Sequence, residues 1–216
     1  MPRYRVTFSK GGYIRFTSHL DMIRLFERAF RRAGIELEYS QGFNPHPKMV
    51  FAQPLPLGYS SEGEILEADT TEEYECRDLA ARLDAEMPDG IVIKSMKEVE
   101  KTKKTAASTC RAADYRIEIE DADADLLDKT VKEMLSREHL TVEKKTKRGM
   151  RTLDIRPMIK SMEISESDDK IILLTKLDAG SSSNLAPQVL LDAMSRLSKI
   201  DIPPECVEIT RLRLYI

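Results

Sequence analysis

The sequence predicts an α+β protein of two tandem ferredoxin-like (split βαβ) halves, each an antiparallel sheet with two helices on one face. Three observations carry this expectation. Strand-like and helix-like periods follow the order strand, helix, strands, helix, strand, and that order occurs twice. Between the two runs lies "EKTKKTAASTCRAA", residues 100–113, which is polar and aperiodic and reads as a linker. The length of 216 residues accommodates two small domains. The expected division is 1–99, a linker over 100–113, and 114–216.

The elements follow in order. "RYRVTFSK" alternates as a half-buried strand does. "SHLDMIRLFERAFRRAGI" has a 3.6-residue period, with Ser18 as N-cap, Asp21 three residues on and Gly34 as the stop. Leu20, Ile23, Phe26, Phe30 and Ala33 form its expected apolar face. "IELEYS", "KMVFAQ" and "GEILEADT" read as strands, and "TEEYECRDLAARLDAEM" as a helix ended by Pro88 and Gly90. "GIVIKSMKEV" completes the first half. In the second, "DYRIEIE", "HLTVEKK", "RTLDIRPMIKSMEIS", "KIILLTKLD" and "ECVEITRLRLYI" read as strands. "ADLLDKTVKEMLSR" and "NLAPQVLLDAMSRL" read as helices, Pro187 standing near the first turn of the latter.

Composition narrows the function. The start has no apolar run fit for a signal peptide, and no stretch approaches the roughly 20 apolar residues of a membrane span, so a cytoplasmic protein is expected. Cys76, Cys110 and Cys206 lie far apart, which argues against a zinc site, a disulfide framework or a cluster held by this chain alone. No metal and no cofactor is expected. The net charge of −3 hides an asymmetry. Residues 1–50 carry nine Lys/Arg against four Asp/Glu, residues 51–100 four against thirteen, and residues 141–160 seven against two. One positive face on an acidic body suits local phosphate binding.

The motifs "KGGYIRFTSHLDMIRLFERAFRRAGI", "SQGFNPHPKMVFA" and "PLPLGYSSEGE" resemble the radical SAM-linked protein family, bacterial proteins encoded beside or fused to radical SAM enzymes. The likeness continues through "TLDIRPMI" and spans nearly the whole chain. It implies a radical SAM enzyme as partner. The chain contains no CxxxCxxC, so radical chemistry would belong to that partner. The paired halves are also similar in plan to the CRISPR repeat-RNA endoribonucleases, although the late glycine-rich hallmark of those nucleases is not recognisable.

The candidate residues fall into four groups. Ser18 and His19 stand at a helix start, where unpaired N–H groups favour an anion and hold a histidine neutral. Asn44, His46 and Lys48 lie in "GFNPHPK", where Pro45 and Pro47 stiffen the loop and would present the imidazole at a pocket rim shared with Ser18 and His19. Arg24, Arg28, Arg31 and Arg32 form a stripe on the first helix, with Arg15 close in sequence. Lys147, Arg148 and Arg151 belong to the basic turn "EKKTKRGMR". "LDIRP" pairs Asp154 with Arg156 on one face, as a salt bridge. The expected function is a non-catalytic accessory protein that binds ribosomal or transfer RNA, or an RNA–protein substrate. The alternatives are a metal-independent endoribonuclease using His19 and His46, or a protein–protein adaptor docking through the acidic stretch 62–89.

Overall fold

A computed structural model describes residues 1–146, 149–167 and 170–216. The protein is of mixed α+β architecture with antiparallel sheets, and it divides into two compact units. The first comprises Met1–Cys110 with Arg213–Ile216, the second Arg111–Leu212. Among the described residues no helix is long and apolar enough to cross a membrane.

In the first unit β1 (Arg3–Lys10) runs between two antiparallel partners, β3 (Ser60–Asp69) and β4 (Ile91–Val99). The short β2 (Met49–Phe51) pairs with the other edge of β3. Helix α1 (His19–Arg32) connects β1 to β2, and α2 (Cys76–Asp84) connects β3 to β4. The alternation of β1 sends Tyr4, Val6, Phe8 and Lys10 to the helix face, while Arg3 and Arg5 point the other way.

Packing on the helix face is aromatic. Phe8 and Phe26 have ring centroids 4.8 Å apart, and Phe51 stands edge-on to both. Met22, Phe26, Ala29 and Phe30 are the buried face of α1. Each such large side chain contributes about 1.5–3 kcal/mol by leaving water. Leu20, expected on this face, is exposed, because the packed stripe is turned toward Met22. Ser18 caps the helix as expected, accepting the Asp21 N–H, and Gly34 takes φ +66° to end it.

Four expectations need correction. "IELEYS" forms no strand; only isolated bridges join Leu37 to Thr70 and Tyr39 to Pro47. Helix α2 starts at Cys76, not earlier, since the Glu75 carboxylate accepts the Asp78 N–H and ends the extended approach there. The stretch 100–113 contains the one-turn helix α3 (Ala106–Thr109), whose Ala106 N–H donates to the buried Glu67 carboxylate at 2.9 Å. Lys101 bridges Glu38 and Asp69 from the same stretch. Residues 100–110 are therefore built into the first unit and do not hang as a linker.

In the second unit the main sheet contains β5 (Ala112–Glu120), β8 (Ile159–Ser167), β9 (Lys170–Asp178) and β10 (Val207–Tyr215), the last of which belongs to this unit as far as Leu212, with β5 between β10 and β9 and β8 at the edge. Helices α4 (Ala124–Ser136) and α5 (Pro187–Ser198) connect them, and α4 packs on α5 and β8. The fourth correction lies here. β6 (Thr141–Thr146) and β7 (Gly149–Asp154) form a separate hairpin. "RTLDIRPMIKSMEIS" is not one strand, because Pro157 has no N–H to donate and sits in a 3-10 turn between β7 and β8.

One glycine is required by contact. Gly90 has φ +92°, its carbonyl accepts the Gly11 N–H at 2.8 Å, and a Cβ there would lie 2.4 Å from the Gly11 oxygen. Gly90→Ala is expected to lower stability by about 2 kcal/mol or more. Thermal unfolding of the variant checks this; an unchanged midpoint would mean that the Gly11–Gly90 crossing relaxes freely.

Candidate nucleic-acid interface

Residues after β1 turn sharply outward. Gly12 takes φ +57°, and Gly12–Phe16 winds as a 3-10 helix before Ser18 starts α1. Ile14 turns inward to the core, while Tyr13 is 96% and Phe16 58% exposed. The Arg15 guanidinium lies 5.0 Å from the Phe16 ring centroid. The Arg15 carbonyl accepts the Gly58 N–H at 3.0 Å and ties this turn to the loop before β3.

Beside it, α1 borders an open groove of about 550 Å³ lined by Thr17, Asp21, Arg24, Arg28, Arg32 and Glu86, among others. Arg24, Arg28 and Arg32 stand one turn apart, about 6 Å per step along the helix. Arg24 pairs with Asp21 at 3.2 Å and Arg32 with Glu86 at 2.6 Å. Arg28 is exposed, and among the described residues it has no carboxylate partner. Exposed pairs of this kind contribute only about 0.2–1 kcal/mol, so a phosphate competes readily for the guanidiniums. Arg31 departs from the stripe. It pairs with Glu27 at 3.4 Å and faces a second groove that also contains Glu36.

His19 is half-buried at the first position of α1, its ring edge-on to Phe51 at 5.3 Å. Buried Lys10 and Glu64 line the same cavity, whose volume of about 10 Å³ leaves room for at most one water. Burial holds the imidazole below its usual pKa; the Glu64 carboxylate opposes that and the Lys10 ammonium adds to it. This group is a structural polar cluster. Lys10 donates to the Thr17 carbonyl at 3.0 Å and so fastens the turn before α1. Glu64 was legible in the alternation of "GEILEADT", which places it with Leu66 and Ala68 on the helix face.

The expected shared rim of His46, Lys48, Ser18 and His19 does not form. The Lys48 carbonyl accepts the Asp69 N–H, whereas His19 lies at the level of Glu64 on β3. Five residues of strand, about 17 Å, separate those levels. Lys48 is also committed, its ammonium bonded to Glu38. The Tyr39–Pro47 bridge and the Ser40 N–H to His46 carbonyl bond at 2.8 Å explain the stiffness of "GFNPHPK": it is a closed loop with Asn44 and His46 exposed. With His19 at the middle of β3 and the His46 loop beyond its Asp69 end, the two histidines do not face one phosphodiester, which removes the paired acid–base arrangement.

In the second unit Arg151 is exposed on β7 opposite Lys144; Lys147 and Arg148 lie outside the described residues. Asp154 and Arg156 make no side-chain salt bridge. Asp154 accepts the Arg156 and Leu140 N–H groups and contacts His139 at 2.7 Å, which together hold it near a pKa of about 2, the histidine contributing most. The Arg156 guanidinium donates instead to the Leu135 and Ile159 carbonyls. Among the described residues no group of three or more His, Cys, Asp or Glu is arranged to hold a metal ion.

The fold and surface define a mixed α+β protein with a groove on its first unit that three arginines line. The chain belongs to the family described as "Uncharacterized protein conserved in bacteria (DUF2344)", whose model matches residues 3–187. No curated protein matches it. Among solved structures it is similar to a chain of a Cbf5–Nop10–Gar1 complex, with a TM-score of 0.54 and 11% identity over 98% of this chain and 48% of that one. This chain thus spans about half the length of that one, and the likeness concerns the fold. A protein from Galdieria sulphuraria aligns over 100% of this chain and 99% of its own at 11% identity, with a TM-score of 0.29.

A depressed histidine pKa stabilises the fold above the unfolded value and loses that contribution as pH falls through the folded one. The His19 ring is expected to titrate below 6.5 by NMR, with stability declining as pH falls below about 6.5. A ring that titrates at or above 6.5 would show that Glu64 outweighs burial.

Proposed function

We propose that this protein is a non-catalytic, RNA-binding accessory protein that works beside a radical SAM enzyme, and that each unit is a ferredoxin-like domain. The observation that carries the RNA reading is the groove along α1, where three guanidiniums at one-turn spacing include Arg28, which has no carboxylate partner among the described residues. Arginine's planar fork suits phosphate oxygens, and a row of them tracks a phosphate backbone without reading its sequence. The partner is supported by the motif resemblance in residues 10–64 and by the lack of a CxxxCxxC in the chain. The domain reading is supported by strand order: β1 between β4 and β3 with β2 outside β3, matched by β5 between β10 and β9 with β8 outside β9.

Replacing both Arg24 and Arg28 by glutamate tests this. Affinity for a labelled single-stranded RNA is expected to fall at least tenfold, and the slope of log affinity against log salt to shrink by about 1.4, two contacts at about 0.7 each. Unfolding should move little, since both side chains are exposed. Unchanged RNA binding in a folded variant would return the groove to a solvated face.

A further inference from the structure

We propose that Tyr13 and Phe16 form a base-stacking platform that makes the first unit selective for single-stranded RNA with unstacked bases. This deepens the RNA reading above and rests on it. A 3-10 helix has three residues per turn, so side chains at i and i+3 eclipse; Tyr13 and Phe16 therefore leave the Gly12–Phe16 turn on one side, about 6 Å apart along its axis. Both rings are exposed; Leu20, four residues after Phe16, and Leu57, next in sequence to the Gly58 that borders the Phe16 ring, are also 65% and 62% exposed. An apolar patch on a charged surface marks a contact site.

Three features suit this patch to nucleobases. The turn is held rigidly, by the Gly11 N–H to Gly90 bond, by Lys10 on the Thr17 carbonyl and by Gly58 on the Arg15 carbonyl, so its rings are presented with little loss of entropy. Arg15 lies against Phe16, adding a cation and a second flat group for stacking. Thr17, next in the chain after Phe16, lines the arginine groove, so a strand whose phosphates run along Arg24 and Arg28 carries its bases past the rings. Aromatic platforms of this kind accept any base, because every base has a π-face.

The test compares a single-stranded RNA of about 12 nucleotides, an abasic strand of equal length, and a duplex, within the site sizes usual for such grooves. The native protein is expected to prefer the base-containing strand over the abasic one roughly tenfold or more, and over the duplex as well. Tyr13→Ser with Phe16→Ser should abolish the preference and leave abasic binding unchanged. The chain has no tryptophan, so Phe16→Trp introduces a unique indole. Its fluorescence should be quenched by the base-containing strand and not by the abasic one. Equal binding of base-containing and abasic strands, with no quenching, overturns the platform while the phosphate groove stands. Failure of the native protein to bind any strand overturns both readings.

Discussion

Glu64, Glu67 and Asp69 are three carboxylates on one strand, and all are buried. A buried charge left alone costs several kcal/mol, so each must gather partners or the strand cannot stay inside. Cross-strand register supplies the first of them: Arg3 stands opposite Asp69 and Arg5 opposite Glu67. Burial pushes the Asp69 carboxyl up, but hydrogen bonds from Arg3 and Lys101 more than offset it and leave it below its usual range. Glu67 also accepts the Ala106 N–H, which anchors α3. The need to satisfy these groups is why residues 100–110 fold onto the first unit.

The same requirement sorts the cations of the first unit. Arg3, Arg5, Lys48 and Lys101 serve buried or half-buried carboxylates, and Lys10 holds the turn before α1. Among the exposed cations of this unit, Arg24, Arg28 and Arg32 line one flank of α1 together. A net basic count over residues 1–50 overstates the charge available to a ligand, because much of it is internally neutralised.

His19 and His46 show how similar residues acquire different environments. His19 enters the core edge because it stands on the packed stripe with Met22 and Phe26, and its ring lies against Phe51. His46 stays outside because its loop closes through the Ser40 N–H to His46 carbonyl bond and the His46 N–H to Ser40 hydroxyl bond, which leave the side chain exposed. A rigid loop thus needs no ligand to explain it; backbone hydrogen bonds do the holding.

Local chemistry alone determined much of this protein. The cap at Ser18, the stop at Gly34 and the alternation of β1 depend on residues within a few positions of one another, so the sequence displays them directly. The arginine spacing on α1 was equally legible, as a helical period. Three things were decided only by the tertiary structure. The register of β1 on β3 consumed Arg3 and Arg5, the Glu38 pairing withdrew Lys48, and the length of β3 separated His46 from His19. Each depends on residues tens of positions apart meeting in space, and no local period encodes which charge a buried carboxylate will claim.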